Sequence, residues 1–329
     1  MHLDRQAQGE FRTVISEPLH PVSVSCREPS SDQRCRFRPS NRTGVRVVVR
    51  LTQRCCMACD HCLAGAAGTG GHDLTVQQWQ AILSELSDIA AHKVLLSGGE
   101  PLLFRELPGL VRSIAAMGIA TDLNSTLWPM TRALARALAD AGLSEASISL
   151  EGPEDIHDAM HGRPGARARL HAGVQMLREL GISVDGSLCV TRTNIEHVLS
   201  TIAKGARWGL ASFTVSRTLP IGHGARRTAA AVPEDRLAAL HRTLTSGGGQ
   251  TDIPLRLVGL LGPPAAADCP QGQSLIGIRA DGTVTPCPLS RDAIPVAVRP
   301  LDVGLRQAVA GMRDALQGVE AGRCWGPDA

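Results

Sequence analysis

Residues 44–62 read GVRVVVRLTQRCCMACDHC, a strand-like segment followed by a cluster of cysteines. Its first part, Gly44–Leu51, is rich in β-branched residues and has polar sequence before it, which is typical of a strand. Its second part places four cysteines within eight residues, directly after that strand. The stretch therefore predicts a strand that ends in a cysteine-dense loop.

The spacing of these cysteines points to a metal centre. Cys55, Cys59 and Cys62 form a Cys-x3-Cys-x2-Cys pattern, and three thiolates so close in sequence can converge on one centre. Three protein ligands on a cluster of four irons leave one iron open to an exogenous ligand. Cys56 leaves a second choice, because Cys56, Cys59 and Cys62 are evenly spaced. A structural zinc site is the alternative, with His61 as its fourth ligand.

Composition excludes several classes of protein. The net charge of +3 on 329 residues gives no case for a nucleic-acid or membrane-surface partner. No apolar run reaches the ~18 residues that a spanning helix needs, and the N-terminus lacks the apolar stretch of a secretory signal. We therefore expect a soluble, cytoplasmic protein. Ten cysteines in such a chain favour metal or redox chemistry over a disulfide scaffold.

Apolar runs alternate with helical patterns through the first two thirds of the chain. The runs that follow the first strand lie at 94–96, 119–123, 146–150, 182–190 and 212–215. Thr75 and Gln78 form a capping box for the first helix, and further helical patterns cover 106–117, 132–141, 166–180 and 195–208. Six strands of this kind indicate parallel βαβ units, an α/β fold in which ligands bind at the carboxyl ends of the strands. Their continuous apolar character predicts burial on both faces of the sheet.

The last third of the chain has a different pattern. A helix is predicted over Glu234–Leu244 after Pro233, and Asp281-Gly282 predicts a hairpin turn between strands at 275–279 and 283–285. A final helix is expected at 301–316. The resulting division is an N-terminal arm at 1–43, a core at 44–225 and a C-terminal region at 226–329.

Further motifs follow the predicted strands in a fixed order. Ser97-Gly98-Gly99-Glu100-Pro101 follows the second strand, SISLEGP at 147–153 covers the fourth and precedes His157-Asp158 and Arg163, and RTLPIG at 217–222 follows the sixth. With the cysteine triplet, these motifs resemble those of the radical S-adenosylmethionine (SAM) superfamily, in the branch with C-terminal extensions. The resemblance covers about residues 45–225 and implies a partial (β/α)6 barrel.

The resemblance also implies cofactors and a reaction. Cys55, Cys59 and Cys62 are expected to hold a [4Fe–4S] cluster whose open iron binds the amino and carboxylate groups of SAM. An external one-electron reductant, of the flavodoxin or ferredoxin type, reduces the cluster. SAM is then cleaved to a 5′-deoxyadenosyl radical that abstracts hydrogen from the substrate. The cofactors carry this chemistry, and the protein supplies orientation and the exclusion of side reactions.

The family motifs suggest which residues contact SAM. Gly98 and Gly99 would let the backbone approach its methionine part, and Glu100 would accept a hydrogen bond from its ammonium group. The remaining candidates, for its ribose or carboxylate, are Asn124, Ser149, Arg163 and Arg217. For Asn124 and Ser149 the alternative is a helix cap, and for the arginines it is an ordinary place on the surface.

A second cysteine set lies in the C-terminal region. The stretch from Cys269 to Cys287 resembles the front half of a SPASM/Twitch extension, and with Cys324 it implies a small hairpin-containing module that holds an auxiliary iron–sulfur cluster. A fourth ligand would be Cys26, Cys35, Cys189 or none.

Two of these thiols have alternative roles. Cys189 lies within a strand pattern and is expected to be a small buried residue. Cys287, if it faced the substrate instead of a cluster, could return a hydrogen atom after abstraction. An auxiliary cluster suits a net oxidation, and a thiol donor suits an epimerisation.

Three functions are consistent with these sequence patterns. The first is a radical SAM enzyme of antibiotic-type biosynthesis that dehydrogenates or epimerises a small polar metabolite, such as an aminosugar, aminocyclitol or nucleoside. The alternative is maturation of a ribosomally made peptide or modification of a tetrapyrrole. The third is a non-catalytic metal-binding or redox-sensing protein, which leaves the Gly-Gly-Glu-Pro motif unexplained.

Overall fold

The structure is a computed structural model that describes residues 44–66, 73–219, 221–223, 231–246, 253–261, 272–288 and 299–316. The predicted arm at 1–43, with Cys26 and Cys35, lies outside these residues, as do Cys269 and Cys324. The division into core and C-terminal region therefore stays a prediction.

The described strands form a single nine-stranded sheet, in the order β7-β6-β5-β4-β3-β2-β1-β8-β9. The strands are β1 Val45–Arg50, β2 Ala91–Ser97, β3 Ala120–Ser125, β4 Glu145–Ser149, β5 Ser183–Val190, β6 Phe213–Arg217, β7 Leu255–Val258, β8 Leu275–Ile278 and β9 Val284–Thr285. All neighbouring pairs are parallel except β8 and β9, which form an antiparallel hairpin. The α/β fold with six sequential parallel strands is confirmed.

Helices connect the strands and cover the outer face of the sheet. They are α1 Val76–Ser84, α2 Leu107–Ala116, α3 Arg132–Asp140, α4 Glu154–His161, α5 Ala166–Glu179, α6 Val198–Trp208, α7 Glu234–Thr245, α8 Pro300–Val303 and α9 Leu305–Ala315. Their buried apolar residues pack with the outward side chains of the strands in one large core. In the described residues no helix has the length and apolar character needed to cross a bilayer.

Several local predictions are confirmed. Thr75 caps α1 and forms the capping box with Gln78. The Asp281-Gly282 turn joins β8 to β9, and α7 begins directly after Pro233. The hairpin is not separate from the sheet, because β8 pairs with β1 over Arg46–Val49.

Other local predictions were incomplete or wrong. The helix expected at 301–316 is broken at Gly304, whose φ of 84° lies outside the helical region. Sequence patterns missed β7 and α4, since a four-residue strand and an eight-residue helix are too short to establish a period.

Strand burial also differs from the expectation of continuous apolar runs. The prediction holds for β1, whose first five residues are all buried. It is wrong for β4 and β5, which alternate between buried and less buried positions. The alternation arises because side chains such as Ser149 and Ser187 face a cavity inside the curved sheet.

Paired charges occupy the inner face of the sheet near the amino-terminal ends of the strands. Lys93 Nζ lies 2.5 Å from a Glu145 oxygen and 3.6 Å from an Asp122 oxygen. Arg46 Nη2 lies 3.8 Å from the same carboxylate of Asp122. By strand alternation these residues share a face with the cavity-lining Val48, so the charged side chains lie on the cavity side of the sheet.

The place of β8 in the sheet leads to a stability prediction. Ile276 on β8 is fully buried and lies in register with Val47 of β1. We expect Ile276→Ala to lower the free energy of unfolding by roughly 2–5 kcal/mol, because it leaves a cavity in the core. The measurement is denaturant unfolding followed by far-ultraviolet circular dichroism. Leu261→Ala, at a side chain that is 65% exposed, is the control and should change stability by less than about 0.5 kcal/mol. Equal effects of the two substitutions would contradict the packing of β8 into the core.

Candidate functional site

A cavity of about 300 Å³ opens at the carboxyl ends of the parallel strands. Its wall includes the cysteine loop that follows β1, the Gly98-Gly99 turn after β2, and the ends of β3, β4, β5 and β6. The sequence patterns place the candidate residues at this edge because parallel strands all end there.

Three of the four cysteines of the loop line the cavity. These are Cys55, Cys59 and Cys62, whereas Cys56 is not part of the wall. Cys56 instead donates a hydrogen bond to Cys55, which lowers the pKa of Cys55 to about 7 and raises the pKa of Cys56. The cysteines that line the cavity are therefore Cys55, Cys59 and Cys62, and not the evenly spaced set that begins at Cys56.

The environment of Cys59 suits a thiol that binds a cation. Burial raises its pKa, and the charges of Cys62, Cys55 and Glu151 raise it further. Metal-ligating cysteine must be deprotonated, so a positive centre such as iron would stabilise the thiolate that this environment disfavours. Three thiols on one wall of a cavity fit a cluster with one open iron.

Backbone contacts join the cysteine loop to the turn after β2. Gly99 N donates to Thr52 O at 2.7 Å, and Glu100 N donates to Arg54 O at 2.9 Å. A Cβ atom on Gly98 would lie 2.5 Å from Thr52 O, and one on Gly99 would lie 2.2 Å from Arg54 O. Both residues must therefore be glycine so that the two loops can meet, which is a different reason from the expected approach to SAM. Both glycines also line the cavity.

Glu100 does not line the cavity. Its carboxylate accepts hydrogen bonds from Ser125 Oγ at 2.7 Å, Thr126 N at 2.9 Å, Thr126 Oγ1 at 2.5 Å and Leu102 N at 3.1 Å. Burial raises its pKa, although these hydrogen bonds act in the opposite direction. Because both oxygens already accept hydrogen bonds from Leu102, Ser125 or Thr126, the structure does not place this carboxylate for the expected contact with the SAM ammonium group. Glu100 instead connects the loop after β3 to the turn after β2.

Asn124 and Ser149 lie in the cavity wall at the ends of β3 and β4. The helix-cap alternative does not apply to them, because α3 and α4 begin at Thr131 and Pro153 as N-caps. Five other residues with hydroxyl side chains share this wall: Ser97, Ser125, Thr126, Ser187 and Ser216. The polar wall can accept and donate hydrogen bonds to a ligand such as a ribose or a carboxylate.

Neither Arg163 nor Arg217 is placed in the wall. Arg163 Nη1 donates to Cys56 O at 2.7 Å, and its guanidinium stacks over Trp128 at 4.3 Å. Arg217 Nη2 lies 2.5 Å from Glu234. The structure therefore does not place either guanidinium where it could pair with a ligand carboxylate in this cavity. Arg50, which sequence reasoning missed, is the arginine of the described cavity wall.

Sequence reasoning also gave no role to Glu151, which connects several parts of the site. Its Oε2 accepts from Cys189 N at 2.8 Å, its N–H donates to His157 Nδ1 at 3.2 Å, and Oε1 lies 3.4 Å from His61 Nε2. Burial alone would lower the pKa of His61, but the charge of Glu151, its hydrogen bond and the charge of Asp60 raise it overall.

Two histidines of α4 lie near this carboxylate, and one of them, His161, lines the cavity. His157 and His161 are one turn apart and their rings pack with centroids 4.3 Å apart. His161 Nδ1 is 3.1 Å from Cys59 Sγ. Burial, with nearby charges, lowers the pKa of each to about 3, so both rings are neutral. The i, i+4 spacing after Glu151 is the signal that could have identified this group.

The other described thiols differ in their access to the cavity. Cys189 lines it at the end of β5, with its Sγ 3.3 Å from Thr218 Oγ1, and burial raises its pKa to about 12. Cys287 is buried against Val48 and Leu95 and is not part of the wall. The structure therefore does not place Cys287 as a hydrogen-atom donor to a ligand in this cavity. Its role as a cluster ligand stays a prediction, since Cys269 and Cys324 lie outside the described residues.

The choice between Cys55 and Cys56 can be tested directly. We expect Cys55→Ala to abolish the iron–sulfur centre in this loop, because it removes one of the three wall thiols. Cys56→Ala is the matched control and should retain it. The measurement is iron and sulfide content after anaerobic reconstitution, with electron paramagnetic resonance of the reduced protein. Loss of the centre in the Cys56 variant and retention in the Cys55 variant would contradict the assignment.

The sequence matches one protein family and several curated proteins. Residues 49–204 match the radical SAM superfamily. A PqqA peptide cyclase of Rhodopseudomonas palustris is 34% identical over 158 residues, which cover 47% of this chain and 42% of that protein. An AdoMet-dependent heme synthase of Oleidesulfovibrio alaskensis is 26% identical over 178 residues, which cover 54% of this chain and 46% of that protein. The matched part is thus less than half of each of these relatives.

The fold matches solved structures as well. Streptococcus suis SuiB bound to its precursor peptide SuiA aligns with a TM-score of 0.69 at 14% identity, over 81% of this chain and 64% of that chain. The protein anSMEcpe, bound to AdoMet and the Cp18Cys peptide, aligns with a TM-score of 0.64 at 13% identity, over 84% of this chain and 83% of that chain. At such identities these matches establish a shared fold.

Proposed function

Because this chain belongs to the radical SAM superfamily through residues 49–204, we propose that it is a radical SAM enzyme that modifies a peptide substrate. The superfamily uses a [4Fe–4S] cluster and SAM, and the chain is therefore an enzyme of that class. The peptide assignment goes further, and the observation that carries it is the similarity to proteins named as PqqA peptide cyclases.

The residues present fit the cofactors. Cys55, Cys59 and Cys62 would hold the cluster, since their thiols share one wall of the cavity. When bound, the cluster and SAM supply a 5′-deoxyadenosyl radical that removes hydrogen from the substrate. Reduction of the cluster requires an external one-electron donor of the flavodoxin or ferredoxin type.

The protein's part in this chemistry is to bind and orient SAM and to exclude solvent. Asn124 and Ser149 offer hydrogen bonds at the strand ends, in the same cavity wall as the cysteines. The apolar side chains of Val48 and Leu95 line the same cavity next to the hairpin. A preorganised wall of this kind would protect a reactive intermediate from side reactions.

The names of the relatives and the charge of the cavity wall both support a peptide substrate. The expected small polar metabolite, such as an aminosugar, has less support, because the matched relatives are named as peptide cyclases and heme synthases. A tetrapyrrole is the second candidate, and a Fe-coproporphyrin III synthase of Methanosarcina barkeri is 28% identical over 153 residues. Such substrates carry several carboxylates, whereas Arg50 supplies the only lysine or arginine side chain in the described cavity wall. A peptide is therefore the better fit.

The proposal also includes an auxiliary cluster and a role in antibiotic-type biosynthesis. An auxiliary cluster would use Cys287 with Cys269 and Cys324, and it would support a net oxidation. A role in antibiotic-type biosynthesis depends on the identity of the substrate peptide.

The substrate assignment predicts a selective response. Reconstituted full-length protein is incubated anaerobically with SAM and dithionite, and with precursor-type peptides, Fe-coproporphyrin III or aminosugars. We expect a peptide to increase 5′-deoxyadenosine formation several-fold and to change in mass, as measured by liquid chromatography and mass spectrometry. Stimulation and modification of the tetrapyrrole or the aminosugar alone would contradict the peptide assignment.

The polar wall predicts the effect of two substitutions on SAM affinity. Asn124→Ala should weaken SAM binding by about tenfold, because it removes a hydrogen bond worth roughly 1.4 kcal/mol. Arg217→Ala is the control, since that guanidinium binds Glu234 outside the cavity, and it should change affinity by less than about twofold. Equilibrium binding of SAM to the reconstituted protein measures both. A larger loss in the Arg217 variant would contradict the proposed wall.

A further inference from the structure

We propose that His161 is a positioning residue that donates a hydrogen bond from Nδ1 to the Cys59 thiolate and thereby raises the reduction potential of the SAM-binding cluster. The proposal rests on the presence of the cluster in the proposed function, but it does not depend on the substrate. His161 also lines the cavity, and its proposed effect acts through the ligand Cys59.

The contact is fixed by how the end of α4 meets the cysteine loop. His161 is the last residue of α4, and its carbonyl oxygen accepts from Ala58 N at 2.9 Å, next to the 3.1 Å contact between Nδ1 and Cys59 Sγ. Gly162 ends the helix with φ at 62°, and a Cβ there would lie 3.1 Å from Ala58 O. Helix and loop thus meet through backbone and side chain together, which holds the imidazole against the sulfur.

The direction of the hydrogen bond follows from the chemistry of the two atoms. An iron-bound cysteine sulfur carries no proton, so it can only accept. A neutral imidazole carries one N–H, which can lie on either ring nitrogen. His161 Nε2 is buried and has no hydrogen-bond partner among the described residues. With the proton on Nδ1, the N–H has an acceptor in Cys59 Sγ. Only Nε2, which is then an acceptor, lacks a partner among the described residues.

Such a bond affects the two oxidation states of the cluster unequally. The reduced cluster carries one more negative charge, part of it on the sulfur ligands, so an N–H directed at the sulfur stabilises the reduced state more. Hydrogen bonds to the sulfurs are among the factors that set cluster potentials, and a site with little water strengthens them. The potential should therefore fall when this donor is removed.

The test compares variants of the full-length, reconstituted protein. His161→Leu removes the donor, whereas His161→Asn keeps an amide N–H near the position of Nδ1. His157→Leu is the matched control, since His157 is a buried histidine of the same helix that accepts from Glu151 N. The reduction potential is measured by redox titration of the paramagnetic resonance signal that responds to SAM.

We expect His161→Leu to lower the ratio of reduced to oxidised cluster about tenfold at a given potential, which is about 59 mV for a one-electron couple. His161→Asn should recover most of this ratio, and His157→Leu should change it less than threefold. An unchanged potential in His161→Leu, or an equal shift in His157→Leu, would overturn the proposal.

A second measurement does not depend on the stability of the leucine variant. In wild-type protein labelled with 15N-histidine, pulsed electron paramagnetic resonance should detect a histidine nitrogen coupled to the reduced cluster. This coupling should disappear in His161→Asn while the potential is retained. Absence of the coupling in the wild type, or its persistence in His161→Asn, would overturn the proposal whatever the substrate proves to be.

Discussion

The short backbone hydrogen bonds between the cysteine loop and the turn after β2 are the contacts on which the site depends. Through them, Gly99 and Glu100 join the carboxyl end of β2 to the loop that follows β1. They require glycine at two positions, because any Cβ would collide with the opposite backbone. The buried carboxylate of Glu100 then ties the loop after β3 to the same turn. Three neighbouring strand ends are thereby fixed around one cavity.

Much of this arrangement follows from the sequence. Alternating strands and helices specified six parallel strands, and their shared edge brought Cys55, Cys59 and Cys62 together with Asn124 and Ser149. The motifs were less informative about what each side chain does. Motif membership does not specify which way a side chain turns, and Glu100 turns into the protein instead of into the cavity.

Contacts between segments that are distant along the chain could not be predicted from the sequence. Arg217 is paired with Glu234 of the following helix, and Glu151 is bound by residues of β5 and of the cysteine loop. The contact of His161 with Cys59 joins residues 102 positions apart, on a helix too short for its period to be recognised. Such pairings depend on tertiary packing, and no local pattern encodes them.

The proposed function requires that the three wall cysteines hold a cluster whose open iron binds SAM in this cavity. The most direct measurement is electron–nuclear double resonance on the reduced, reconstituted protein with SAM carrying 15N in its amino group and 17O in its carboxylate. Coupling of both labels to the cluster is the expected result. A reduced cluster that shows coupling to neither label, at SAM concentrations that saturate binding, would contradict it.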